Sequence, residues 1–175
     1  MFLRHGLPGA LFGALCVFVP DMRALLGEPL AGLLAAPARH LLTGFLIFGL
    51  LLGYAWFLDR RLDAASAGWM LYLLAVSIWE EWLFRLAIPY FGQAQGMNLR
   101  TIVFVSNVVF GVLHYFTLRW KWHWCLMAFL GGIALSRQLH EHFDLTLVIA
   151  IHWIATSINT PRLPGRSSRR EEGDG

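Results

Sequence analysis

The stretch LLTGFLIFGLLLGYAWFL, residues 41–58, carries no charged side chain. As a helix it has the length that a hydrocarbon layer of about 30 Å demands, roughly 17–25 residues. Outward from it, a second uncharged run, TIVFVSNVVFGVLHYFTL, fills residues 101–118. Shorter or interrupted apolar runs occupy residues 6–20, 64–88, 122–136 and 145–159, giving six candidate spans. The runs are continuous and do not alternate, so they are not the strands of a membrane barrel. The expected fold class is all-α: a polytopic membrane helix bundle of about six transmembrane helices over residues 1–160, followed by a polar tail over 161–175 too poor in apolar residues to fold.

Composition agrees with a lipid environment. Hydrophobic residues make up 57% of the 175, and charged ones only 14%, against a globular norm near 25%. A soluble domain of this size needs more charge on its surface. The two cysteines, Cys16 and Cys125, lie inside apolar runs, which excludes a disulfide framework and a cysteine metal site. Pro20, Asp21 and Met22 follow the first apolar run where a cleaved signal would have small residues.

Charge placement orients the chain. Net charge is +3, and of the 14 basic residues only Lys121 is a lysine. One set of loops carries Arg4, Arg60, Arg61, Arg119, Lys121, Arg162, Arg166, Arg169 and Arg170; the other carries Arg23, Arg39, Arg100 and Arg137. The basic side faces the cytoplasm, so both termini are expected there. Basic and aromatic residues alternate through Arg119-Trp120-Lys121-Trp122-His123-Trp124. Between two spans this is an interfacial aromatic belt and not a nucleic-acid surface, so the expected partners are the lipid bilayer and no nucleic acid. His140, Glu141, His142 and Asp144 are expected to be solvated loop charges.

Ionisable groups at bilayer depth cost about 2.5–3.5 kcal/mol each on insertion scales, so a chain that keeps several generally uses them. Glu80, Glu81 and Arg85 interrupt the run 64–88, His114 sits in 101–118, and His152 in 145–159. At 100° per residue Glu81 and Arg85 share a helical face and can pair. Glu80 points about a quarter-turn away, with no cation on its own helix, which suits it to take a proton near neutral pH. Asn107, Phe110, Gly111 and His114 share one stripe, and His152, Thr156 and Asn159 share another. Gly111 would let a neighbouring helix come close to the imidazole. At 1.5 Å per residue, Glu80, His114 and His152 reach depths from which they can meet in one mid-membrane cavity, offset towards the side away from the basic loops.

Glu80-Glu81-Trp82-Leu83-Phe84-Arg85 fits an EExxxR motif, Phe110-Gly111-Val112-Leu113-His114 fits FxxxH, and His152 stands where an HxxxN or HxxxD motif belongs. In these three motifs, over residues 71–159, the chain resembles the CPBP intramembrane protease family, which includes the type II CAAX prenyl endopeptidases and Abi-like bacteriocin-processing or immunity proteins. The resemblance implies an intramembrane endopeptidase acting on a membrane-associated protein or peptide, prenylated or C-terminally anchored. It implies a bacterial inner-membrane location, and a site of Glu80, Glu81, Arg85, His114 and His152. Glu80 would activate a water held by His114, and His152 would stabilise the oxyanion together with Thr156 or Asn159. The fourth residue of the third motif is Thr156, where the family has Asn or Asp; the nearest amide is Asn159.

Glu80, His114 and His152 would suffice to hold a Zn²⁺ ion with an open fourth position. No HExxH pair prearranges such a site, so the expectation is no cofactor and a glutamate-driven hydrolysis. Two other functions fit buried acids and imidazoles: a non-enzymatic membrane immunity or scaffolding protein, and a small proton-coupled carrier. The sequence has neither the internal repeat nor the paired broken helices of a carrier.

Overall fold

The computed structural model describes residues 5–60 and 62–163. These form helices α1 (Leu7–Val17), α2 (Pro20–Ala24), α3 (Ala31–Ala35), α4 (Pro37–Asp59), α5 (Ala64–Glu81), α6 (Ile88–Ala94), α7 (Leu99–Leu118), α8 (Trp122–His142) and α9 (Leu145–Asn159). A π-helical segment, Trp82–Ala87, joins α5 to α6 without a break. No strand occurs among the described residues, as the continuous apolar runs require.

The helix boundaries follow from side chains at the ends. The Asp63 carboxylate accepts the Ser66 N–H at 2.9 Å to open α5, Asn98 accepts the Arg100 N–H at 2.9 Å to open α7, and Asp144 accepts the Leu147 N–H at 3.0 Å to open α9. Burial alone would raise the Asp144 carboxyl. The Thr146 hydroxyl, the amides of Leu147 and Thr146, and His40 outweigh that and hold it below the usual carboxylate range. Arg60, Arg119 and Phe143 take left-handed conformations (φ 53°, 58° and 48°) and end α4, α7 and α8.

By length and apolarity α4 and α7 are the two described helices that qualify to cross a membrane. α4 is no core helix of a soluble protein: Leu41, Leu42, Phe45, Leu46 and Leu50 all face outward. Residues 6–20, expected as a span, instead form α1, whose 11 residues extend only about 16 Å. The chain turns extended at Val19, and Pro20 starts the separate helix α2. In the other direction, residues 64–88 were expected to end near Pro89, yet helix continues to Ala94. The π segment ends two residues before that proline, and local π adjustment is one way a helix re-satisfies the backbone groups a proline frees.

The continuous helix from α5 to α6 is the axis of the bundle. Met70, Leu73, Trp69 and Trp153 pack with Leu51 and Ala55 of α4, while Val76, Trp79, Trp82, Phe84 and Phe110 form a second core with Cys16 and Met22. α7 and α8 approach closely at glycines. A Cβ on Gly111 would sit 2.9 Å from the carbonyl oxygen of Cys125, which bears out the expected close approach there. At the far end, the Leu145 N–H donates to the Pro29 carbonyl at 3.0 Å, and Leu26 and Leu30 pack on Leu139, Leu145 and Val148, so the segment around α2 covers that end. Arg162 bonds Asp59 at 2.7 Å and Leu163 packs against the core that Leu51, Trp69 and Trp153 form. The rest of the tail expected to be unfolded, residues 164–175, lies outside the described residues, with Arg166, Arg169 and Arg170; so do Arg4 and Arg61.

Candidate active site

Glu80 and Glu81 end α5, midway along the axial helix, and both are buried to within 1% of full exclusion. Charge at such depth persists only when paired. Glu81 meets Arg85 as the helical spacing dictates: Arg85 Nε lies 3.1 Å from Glu81 Oε2, and Nη2 lies 3.3 Å from Oε1. The Arg85 guanidinium also rests 4.6 Å from the centre of the Phe110 ring, so a residue of the second motif holds a residue of the first.

Glu80 has no cation on its own helix, as expected, but it is surrounded by imidazoles from other helices. His152 Nε2 is 3.4 Å from Oε2, His114 Nε2 is 4.0 Å from Oε1, and His5 Nε2 is 2.7 Å from Oε1. The other ring nitrogens fix how these imidazoles are presented. Nδ1 of His114 lies 2.7 Å from the Phe110 carbonyl, and Nδ1 of His152 lies 2.6 Å from Glu81 Oε1. Carbonyl and carboxylate oxygens only accept, so both Nδ1 atoms carry hydrogen and both Nε2 atoms turn towards Glu80. His5, Glu80 and His114 also place one ligand atom each within 4.8 Å of one another, the spacing of a metal-binding trio.

These side chains line one cavity of about 770 Å³, together with Thr156 and Asn159. Glu80, His114, His152, Thr156 and Asn159 are thus brought together, while Glu81 and Arg85 stand behind His152 and Phe110. Asn107 is set apart from the cavity: its amide donates to the Val103 carbonyl at 2.8 Å and to the Ser136 hydroxyl at 3.0 Å, tying α7 to α8. The cavity reaches Arg119, Trp120, Lys121 and Thr160. It is therefore offset towards the end of the bundle bearing the basic loop, opposite to the expected direction. The reason lies in helix register: His114 stands only four residues from the C-terminal end of α7.

Two site residues escape a reading of sequence alone. His5 heads an apolar run, where a terminal histidine ordinarily meets water. Trp120, assigned above to the interfacial belt, turns inward until its ring is 4.8 Å from that of His114. At the opposite end, the loop cluster is occupied structurally: Arg137 bonds Glu141 at 2.6 Å, and Asp144 caps α9.

A lipid-facing helical bundle with a buried acid and several imidazoles on one internal cavity defines a membrane protein with an acid–imidazole centre. The chain belongs to the type II CAAX prenyl endopeptidase Rce1-like family, whose model matches residues 63–158. The likeness read from the three motifs is thereby shown, and with it membership of a family of CAAX-type intramembrane proteases. No curated protein and no solved structure matches the chain.

Proposed function

We propose that the protein is an intramembrane endopeptidase in which Glu80 activates water against a peptide bond of a membrane-associated substrate. The observation that carries this reading is the convergence of Glu80, His114 and His152 on one cavity, with Nε2 of both imidazoles directed at the carboxylate. A gap of 4.0 Å between His114 Nε2 and Glu80 Oε1 is the kind of separation that a bridging water spans. Glu80 takes a proton from that water as its oxygen bonds to the substrate carbonyl carbon. The carbonyl oxygen becomes an oxyanion, the C–N bond breaks, and the proton passes from Glu80 to the leaving amine.

His152 serves the oxyanion. Donation from its Nε2 requires an imidazolium, and Glu81 on Nδ1 supplies the counter-charge that such a cation needs. Thr156, one turn further along the same helix face, donates its hydroxyl in place of the family's amide or acid. The chemistry runs without a resident metal, and the substrate is a prenylated or C-terminally anchored chain at a bacterial inner membrane. α5 with its continuation, α8 and α9 complete the spans begun by α4 and α7, and these five crossings put the C-terminus in the cytoplasm and the start of α4 on the opposite side.

The test is to incubate the purified full chain in proteoliposomes with prenylated and unprenylated membrane peptides, with and without chelator, and to map products by mass spectrometry. Cleavage at one bond, insensitive to chelator, supports the reading. Cleavage abolished by chelator and restored by Zn²⁺ overturns the metal-free chemistry. No cleavage of any peptide, with Glu80→Gln costing stability instead, favours the scaffolding alternative.

A further inference from the structure

His5 lies two residues ahead of α1, outside the segment that the family model matches. It is 5% exposed, and its Nε2 makes the shortest contact that Glu80 receives, 2.7 Å to Oε1. The other ring nitrogen is held as well. Thr117 Oγ1 lies 2.6 Å from the Leu113 carbonyl, which only accepts, so the Thr117 hydroxyl proton is spent there. His5 Nδ1, at 2.9 Å from the same Thr117 oxygen, must therefore be the donor. Nε2 is thereby aimed at Glu80 Oε1 and held there from both sides of the ring.

The placement of His5 is built into α1. A Cβ on Gly6 would meet the Tyr72 hydroxyl oxygen at 2.5 Å, and one on Gly9 would meet the Trp79 ring at 2.3 Å. The Gly13 carbonyl accepts the Trp82 indole N–H at 2.9 Å. Small residues at these positions let α1 lie directly on α5, and the ring of His5 ends 5.3 Å from that of Trp79 and 5.4 Å from that of His114.

We propose that His5 is a positioning residue for Glu80. It clamps Oε1 and fixes the plane of the carboxylate against His114 and His152, so that the reactive centre is assembled from the turn that leads into α1 and from α5, α7 and α9. This rests on Glu80 being the base of the hydrolysis. A merely structural histidine would be replaceable at no cost to turnover once folding is preserved.

The test compares His5→Ala and His5→Gln with the unsubstituted full chain. His5→Ala is expected to lower kcat about 10²-fold, the scale of a misplaced reacting group, with KM held within about threefold. Added imidazole should restore part of the loss, and His5→Gln, whose amide can still donate to Oε1, should retain more activity than His5→Ala. Turnover of His5→Ala within threefold of the unsubstituted chain overturns the proposal, as does a loss that neither imidazole nor His5→Gln relieves. A second measurement needs no activity: in protein labelled with ¹⁵N-histidine, Glu80→Gln should shift the ring resonances assigned through His5→Ala. An unmoved His5 signal overturns the proposal even where no substrate is cleaved, whereas a shifted signal without any cleavage supports the contact and leaves the hydrolytic reading as the one that fails.

Discussion

His152 bridges the two adjacent carboxylates: Nδ1 is 2.6 Å from Glu81 Oε1, and Nε2 is 3.4 Å from Glu80 Oε2. One imidazole thus couples the Arg85-paired acid of the EExxxR motif to the acid that faces the cavity, and it ties α9 to α5. The doubled glutamate has a physical reason. In the proposed mechanism Glu81 orients His152, which leaves Glu80 to react.

Replacing Glu81 by Gln should damage both folding and turnover. Arg85 is 1% exposed, and removing one partner of a buried ion pair costs about 3–5 kcal/mol. A lower unfolding midpoint in detergent should accompany a fall in kcat of about 10²-fold or more through disordered His152. Stability and turnover both equal to those of the unsubstituted chain would contradict the assigned role.

Thr156 should behave as a donor and not as packing. Thr156→Val keeps shape but removes the hydroxyl, and the loss of one oxyanion donor is worth on the order of 10²–10³ in kcat. Thr156→Asn, which restores the residue type of the family motif, should keep activity well above that of Thr156→Val. Equal rates for both, with Asn159→Ala inactive, would move the role to Asn159.

Gly111 tests the helix seam that carries His114. A Cβ there would meet the backbone carbonyl of Cys125 at 2.9 Å, and backbone cannot swing aside. Gly111→Val should destabilise by about 1–3 kcal/mol, as overpacking does, read as a lowered thermal midpoint. An unchanged midpoint would mean that α7 and α8 are further apart than described.

Asp144 gives a pH signature away from the cavity. Its carboxyl is held below the ordinary range, so its contribution is complete above the unfolded value near 4 and is lost as pH falls through the lower folded value. Asp144→Ala should cost about 1 kcal/mol at neutral pH, the usual value of an N-cap. It should also flatten the acid limb of the stability profile. An acid limb identical in both proteins would assign the effect elsewhere.

The legible part of the site was the part that violates the lipid rule. Glu80, Glu81, Arg85, His114 and His152 stand out because each interrupts an apolar run, and Glu81 with Arg85 because four residues bring side chains together on any helix. α9 coincides with the expected run 145–159 for the same reason, with Asp144 marking its start. His5 stayed hidden because its burial depends on α1 lying against α5, a consequence of Gly6, Gly9 and Gly13 meeting Tyr72, Trp79 and Trp82. Those contacts are tertiary and leave no trace in hydropathy. Trp120 stayed hidden because an aromatic at a span boundary looks the same whether it faces headgroups or turns onto His114. The π segment over Trp82–Ala87 has no hydropathy signature either.

The most direct test of the account is the initial rate of peptide-bond cleavage by Glu80→Gln beside the unsubstituted protein, in the same bilayer, with the thermal midpoints of both recorded. Gln is nearly isosteric but is no base, so the account predicts a folded protein whose rate has fallen by about 10³-fold or more. Cleavage by Glu80→Gln within tenfold of the unsubstituted protein would contradict it.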